Sequence, residues 1–396
     1  MRTAVVVGGG IGGLAAAGGL ARSGWRVTVL ERADRVRADR TALTLWPNGV
    51  RALHALGLGG GLAAIASPQP GTGVRRPDGR WLVKPRPATD EGPVVVHSED
   101  LHDALVAGLG DRVEIRTGVH VQEIRPGGDR PAVGDGRSMV EADLVVAADG
   151  IDSLIRSRLA PQSAVVSAGG TAWRAVVPWY RAPRLADDCP VDAETLGGGY
   201  RFAAAALLGD AATGAAARRG IYWVATAPGA PRPEPPATQL ALLRRWFQTW
   251  PAPVGDLLAA TDPADVGQQE VRELRPLPRA YGFPAASGGV VLLGDAAHPM
   301  SPYLGQGACL ALEDAATLAS LVRDAAPGAA LRRAVEAYDR VRRPRVTAVV
   351  RQTRRLSAAL QSRGRLARVR EATLGARTPR LLGRAAETAT RWRPPD

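Results

Sequence analysis

Five glycines fall within the six residues Gly8-Gly9-Gly10-Ile11-Gly12-Gly13, between the apolar run Val5-Val6-Val7 and a small-residue stretch ending at Arg22. The valines suit a buried strand, Ile11 to Arg22 suits a helix, and Trp25 to Leu30 returns as strand. Gly8, Gly10 and Gly13 carry the G-x-G-x-x-G spacing. The first glycine permits the tight turn, the second lets backbone approach a pyrophosphate, and the third lets helix and strand pack closely. Ile11 and Gly12 then open a helix whose free N–H groups face the phosphates. Glu31, with Arg32 beside it, stands where a carboxylate accepts from ribose hydroxyls, and its charge disfavours a 2′-phosphate. A glycine-rich turn alone is weak evidence. With its flanking strand, helix and acidic residue it reads as a site for FAD or NAD.

Two later turns follow buried-type strands in the same way. Ala142 to Ala148 runs into Asp149-Gly150-Ile151-Asp152-Ser153. Val290 to Leu293 runs into Gly294-Asp295-Ala296-Ala297-His298-Pro299, then Pro302-Tyr303-Leu304-Gly305-Gln306-Gly307 and a helix to Val322 containing Glu313-Asp314. Further helices are expected from Val50 to Leu56 after the turn at Trp46-Pro47-Asn48-Gly49, from Glu99 to Leu109, and from Leu331 to Leu360, with a strand at Val113 to Arg116. Between the two turn motifs the texture changes. Thr171 to Val177, Tyr200 to Leu208 and Gly220 to Thr226 are rich in β-branched and aromatic residues, and a helix is expected at Leu240 to Trp250.

On these three motifs the chain resembles the group A flavoprotein monooxygenases, the family of para-hydroxybenzoate and salicylate hydroxylases. Trp46-Pro47-Asn48-Gly49-Val50 and Thr171-Ala172-Trp173-Arg174 resemble its salicylate- and urate-hydroxylase-like branch, and Arg342-Arg343-Pro344-Arg345 matches a structural helix segment. The resemblance spans most of residues 1–350. It implies an α/β fold: a Rossmann-like FAD-binding domain, an inserted, mostly antiparallel β-sheet substrate domain, and C-terminal helices. The expected boundaries are 1–70, 96–165 and 276–350 for the FAD-binding parts, 71–95 and 166–275 for the substrate parts, and 351–396 for the C-terminal helices.

The resemblance also implies the roles. FAD would bind through Gly8, Gly10, Ile11, Gly12, Gly13, Glu31, Arg32, Asp149, Gly150, Gly294, Asp295, Pro302, Gly305 and Gly307. Asp295 would accept from ribityl hydroxyls, though a turn aspartate capping the next helix is the plainer alternative. NADH or NADPH would reduce the flavin, and dioxygen would add to it as a C4a-hydroperoxide. That species would hydroxylate or epoxidise an aromatic or polycyclic small molecule. A redox-neutral or dehydrogenating flavoenzyme and a catalytically silent FAD-binding protein are the alternatives. Arg201 and Tyr222 fall where the branch places substrate-pocket residues, with a solvated strand and core packing as their plainer readings. No catalytic side chain is evident; His298 is the candidate acid or base. Two positions depart from the family. Ser98 stands where relatives carry an arginine that contacts the cofactor, and Arg40 stands at a common glycine, where its charge would partly replace the missing one.

Composition narrows the partners. Two cysteines, Cys189 and Cys309, and five histidines allow neither a disulfide framework nor a zinc site, so no metal is expected. No apolar run is long enough to span a bilayer and no signal-peptide layout opens the chain, so a cytoplasmic monomer or homodimer without membrane insertion is expected. The net charge of +13 comes from arginine, Lys84 being the sole lysine. It concentrates from Arg351 onward, where Gly364 and Pro379 interrupt any helical stripe. Short packing helices, and no nucleic-acid partner, are expected there.

Overall fold

The computed structural model describes all residues except 39, 71, 72, 88, 90, 187, 188, 209–217, 232, 361–382, 384–386, 389 and 396. The opening strand Thr3–Val7 lies inside a six-stranded sheet. Its order is Gly282–Pro284, Gly289–Leu292, Leu144–Ala147, Thr3–Val7, Arg26–Leu30 and Val113–Arg116. The sheet is parallel except for the hairpin at its 282–292 edge. Its central strands are buried on both faces, which is why they read as unbroken valine and leucine runs rather than alternating ones.

Register does the decisive work. Val7 pairs with Ala147 and Leu30, and Ala147 pairs with Leu292. The three strands therefore end level, and the turns that follow them, at Gly8, Ala148–Gly150 and Leu293–Asp295, emerge together at the carboxyl edge, where open α/β sheets bind ligands. Helix Ile11–Arg22 packs against helix Gly307–Leu321, both rich in alanine, so their axes approach closely.

The second large sheet has seven strands, in the order Gly267–Arg275, Ala164–Pro178, Gly220–Pro228, Tyr200–Leu207, Ala193–Gly197, Gly73–Arg75 and Trp81–Val83. All pairs are antiparallel except Ala193–Gly197 with Gly73–Arg75. Alternation gives it two unlike faces. Trp173, Ala175, Val177, Phe202, Trp223 and Ala225 pack under helices Pro236–Trp246 and Val254–Ala260. There Phe202 stacks on Trp223 with ring centroids 5.6 Å apart. The opposite face turns Ala172, Arg174, Arg201, Ala203 and Tyr222 toward the first sheet. The architecture thus matches the α/β fold with an antiparallel second sheet read from the sequence.

Several bounds differ from expectation. The helix expected at Leu240–Trp250 spans Pro236–Trp246, and the one expected from Val50 begins at Pro47. Proline at the first helical position sacrifices no hydrogen bond, so it starts a helix rather than blocking one. The strand expected at Thr171–Val177 extends over Ala164–Pro178. A small meander, Glu123–Arg125, Ala132–Gly134 and Met139–Glu141, was not anticipated.

Helix Ala329–Leu360 carries Pro344 inside it. Arg363, Arg365, Arg368 and Arg370, with Gly364 and Pro379, lie outside the described residues. The described end of the chain packs back on the molecule. Arg51 donates to the carbonyls of Thr390 and Trp392, and Arg345 to that of Thr388. Among the described residues no helix is long and apolar enough to cross a membrane.

Candidate cofactor site and active site

The two sheets face one another across a cavity of about 630 Å³, within the usual range for small-molecule sites. The glycine turn forms one end of it, and its glycines do different jobs. At Gly8 φ is +106°, and a Cβ there would meet the Ala148 carbonyl oxygen at 2.3 Å. A Cβ on Gly13 would meet the Gly8 carbonyl oxygen at 2.0 Å, and one on Gly12 the Leu293 Cδ2 at 2.6 Å. Those three close the protein onto itself. Around Gly10 a Cβ would meet nothing within 4 Å, and the same holds for Gly150 and Gly307. These glycines line the cavity, so the space their missing side chains leave opens onto it.

Glu31 fixes the turn. Its Oε2 accepts from the Gly9 N–H at 2.7 Å and its Oε1 from the Ala33 N–H at 2.9 Å. Arg32 beside it is exposed. Asp149 Oδ2 accepts from the Ile155 N–H at 3.3 Å, while Oδ1 is buried without a partner among the described residues. Burial pushes the Asp149 pKa up, with the Ser153 hydroxyl pulling the other way. Gly8, Glu31, Arg32 and Asp149 thus lie outside the cavity lining, whereas Gly10, Ile11, Gly12, Gly13 and Gly150 belong to it.

Gly294 (φ +60°) and Asp295 supply the next stretch of wall. The Asp295 side chain is exposed to the cavity yet surrounded by protein. That surrounding pushes its pKa up, against the pull of His298, Arg174 and Arg156. Pro302, Gly305 and Gly307 follow. Gly305 adopts the left-handed conformation (φ +59°), which brings the backbone round into the helix starting at Gly307.

Beneath this wall lies a buried ionic cluster. Arg342 bonds Asp314 at 2.6 Å and Glu313 at 2.8 Å, all fully buried. Asp314 in turn accepts from the Gly294 N–H at 2.9 Å and contacts His298 Nε2 at 2.6 Å. Burial alone would raise the Asp314 pKa, but His298 and Arg342 outweigh it and hold it low. Glu313 accepts from Asn48 Nδ2 at 2.7 Å, and Asn48 also bonds Gln306. The cluster thereby ties the Gly294–Asp295 turn, the Gly305–Gly307 turn and the Trp46–Asn48 turn to one helix pair. His298, the candidate acid or base, is fully buried in this cluster and does not line the cavity. Its ring bonds Asp314 instead of facing the cavity.

The second sheet provides the facing wall. Arg201 is buried and held by Glu194 through bonds of 2.7 and 3.3 Å, with its guanidinium 5.7 Å from the Tyr303 ring centroid. Tyr222 is half-buried, also lines the cavity, and has its pKa raised by burial. Arg174 projects from the middle of the sheet into the same space, between Ala172 and Val176 along its strand and beside Val224 on the next. Among the described residues it has no hydrogen bond or ion pair. At the glycine end Ser98 and His102 complete the wall, both buried. Arg40 does not compensate for Ser98 as expected: it is nine-tenths exposed and pairs with Glu99 at 3.7 Å, away from the cavity.

The family model for an FAD binding domain matches residues 1–195 and 248–353. The chain belongs to that family. Among curated relatives, a 3-amino-4-hydroxybenzoate 2-monooxygenase from Streptomyces cremeus is 35% identical over 89% of this chain and 86% of its own length. An FAD-dependent urate hydroxylase from Klebsiella oxytoca is 31% identical over 86% of each. Among solved structures, Klebsiella pneumoniae HpxO complexed with FAD and uric acid superposes with a TM-score of 0.79 at 25% identity, over 98% of this chain and 96% of that one. The chain is an FAD-dependent monooxygenase.

The cavity fits the cofactor on its own evidence. A ligand with a diphosphate needs backbone N–H groups it can approach closely, and the open faces at Gly10 and Gly307 leave that room. Sequence reasoning missed His102, Arg37 and the cavity-facing role of Arg174. His102 lies one helical turn beyond Ser98 and bonds the Gly9 carbonyl oxygen at 3.1 Å. The i, i+4 spacing from Ser98 was the only available signal.

Proposed function

We propose that this monooxygenase hydroxylates a compact aromatic molecule bearing an acidic or strongly polar group, with NADH or NADPH and dioxygen as co-substrates. The observation that carries this reading is a cavity with two unlike walls: open glycines and a helix start on one side, and on the other, among small apolar residues, a half-buried Arg174 with no hydrogen bond or ion pair among the described residues. The names of the relatives, an aminohydroxybenzoate monooxygenase and urate hydroxylases, agree with a small polar aromatic substrate.

In this reading Gly10, Ile11 and Gly12 receive the diphosphate, with Gly8 and Gly13 shaping their turn. Glu31, held by two N–H bonds, keeps lone pairs for the ribose, with Arg32 alongside. Asp295 accepts from the ribityl hydroxyls. Gly150 leaves room beside it, and Asp149 fixes that turn through the Ile155 N–H. Pro302, Gly305 and Gly307, under the dipole of the helix they start, receive the ring system. Bound FAD supplies hydride acceptance from the nicotinamide and activation of dioxygen. The chain's task is to hold the substrate ring against it and keep water away. Arg174 meets the polar group, Arg201 and Tyr222 border the ring, and Ala203, Val224 and Met300 exclude water.

The test is a panel of aminohydroxybenzoates, hydroxyquinolines and oxopurines, scored for acceleration of NAD(P)H oxidation and for incorporation of isotopically labelled dioxygen. At least one should give labelled product. Accelerated turnover with unlabelled product would replace this reading with a dehydrogenating one.

A further inference from the structure

We infer that Arg37 is the cation that grips the diphosphate of FAD. The inference rests on the FAD site described above and concerns a residue to which that site assigns no role.

Residues on either side of Arg37 touch the glycine turn and the start of the helix at Ser98. Val36 Cγ1 lies 3.1 Å from where a Gly9 Cβ would stand, and the Thr41 carbonyl accepts from the Ser98 N–H at 2.8 Å. Arg37 itself lines the cavity together with Gly10, Ser98 and His102. A diphosphate brings two negative charges to this end, and the Glu31 carboxylate beside Gly9 adds a third. Helix Ile11–Arg22 offers N–H groups with no side-chain cap and no charged group in its first turn. Neutral N–H donors alone leave this excess negative charge standing, so a cation is called for.

The other cations nearby are committed or remote. Arg40 pairs with Glu99, and Arg218 pairs with Glu99 and Asp100. His97 accepts from the Glu99 N–H, and burial lowers its pKa, which keeps it neutral near pH 7. The ring of His102 faces the Gly9 carbonyl, Ser98 is neutral, and Arg32 and Arg35 are exposed outside the cavity wall. Arg174, the other cavity arginine with neither ion pair nor hydrogen bond among the described residues, stands on the antiparallel sheet, so at the glycine end Arg37 is the cation left to meet the phosphates.

Because Arg37 is exposed, its attraction for phosphate is screened by salt; the Debye length falls from about 10 Å at 0.1 M to about 3 Å at 1 M. Apoprotein titrated with FAD and followed by quenching of flavin fluorescence tests this directly. Arg37→Gln should raise the Kd roughly tenfold at low salt, as expected for loss of one charge-assisted bond. The gap should close to about twofold in 1 M NaCl, and Arg37→Lys should retain most of the affinity. Arg37→Gln within twofold of wild type at low salt would overturn the inference. So would a loss of equal size at both salt concentrations, since that reports a structural defect and not a charge. Wild-type protein that fails to bind FAD at all would instead remove the cofactor site itself.

Discussion

The two walls of the cavity are built by opposite means. The wall on the parallel sheet is made of backbone: glycines, a left-handed turn and helix starts, all set by strands that end level. The wall on the antiparallel sheet is made of side chains standing on alternate residues. A backbone wall presents the same N–H groups whatever the neighbouring residues are, and adding atoms to its glycines is the surest way to break it. A side-chain wall changes with every substitution. One protein can therefore keep its cofactor fixed while its substrate face varies.

The sharpest way to break that contrast is at Gly10. Gly10→Val should abolish FAD binding while the melting temperature of the apoprotein stays near wild type, because its Cβ meets only open cavity. Gly13→Val, in the same motif, should prevent folding, because its Cβ would stand 2.0 Å from a carbonyl oxygen. If Gly10→Val retains FAD, the backbone wall is not where the cofactor lies. Next comes the cluster beneath that wall. Arg342→Ala removes the guanidinium shared by two buried carboxylates and leaves Glu313 with Arg345 and Asp314 with His298, and urea denaturation should show a loss of about 3–5 kcal/mol.

A smaller effect is expected on the other wall. Arg174→Ala should raise KM for an anionic aromatic substrate by roughly 10- to 100-fold, the loss of a hydrogen-bonded charge partner. FAD affinity should stay within about twofold, because this residue belongs to the other wall; an equal loss of both would merge the two walls into one unit.

The smallest effect concerns Asp295. Its folded pKa is raised, so its ionised form penalises folding above that pKa, and the penalty disappears as pH falls toward the unfolded value. Asp295→Asn should therefore raise the apoprotein melting temperature slightly at pH 8, give no gain near pH 3, and weaken FAD binding at pH 8. A gain that persists at pH 3 would show that the carboxylate charge is not the cause.

The same contrast explains what could be read from the sequence. Backbone features have local signatures. Gly8-Gly9-Gly10 before a helix, Asp149-Gly150 and Gly294-Asp295 after valine-rich strands, and the antiparallel character of the middle were all legible, because each depends on residues close in sequence. Side-chain partnerships are not local. Asn48 meets Glu313 and Asp314 meets Arg342 across long chain separations, so the cluster was invisible although every member lay in a quoted motif. Arg174 was recognised as part of a strand, but which way it faced depended on register with Val224. Arg40 and Arg37 are three residues apart. Only the folded path of the segment shows that the first reaches Glu99 and the second lines the cavity.

The alternation of the antiparallel sheet also sets how this enzyme can acquire new substrates. Ala172, Arg174, Arg201, Ala203, Tyr222 and Val224 reach the cavity, while Trp173, Phe202 and Trp223 between them anchor the hydrophobic underside. A combinatorial library randomised at the first set alone would explore substrate range with the underside intact. Shifting the same library by one position would spend its diversity on unfolded protein.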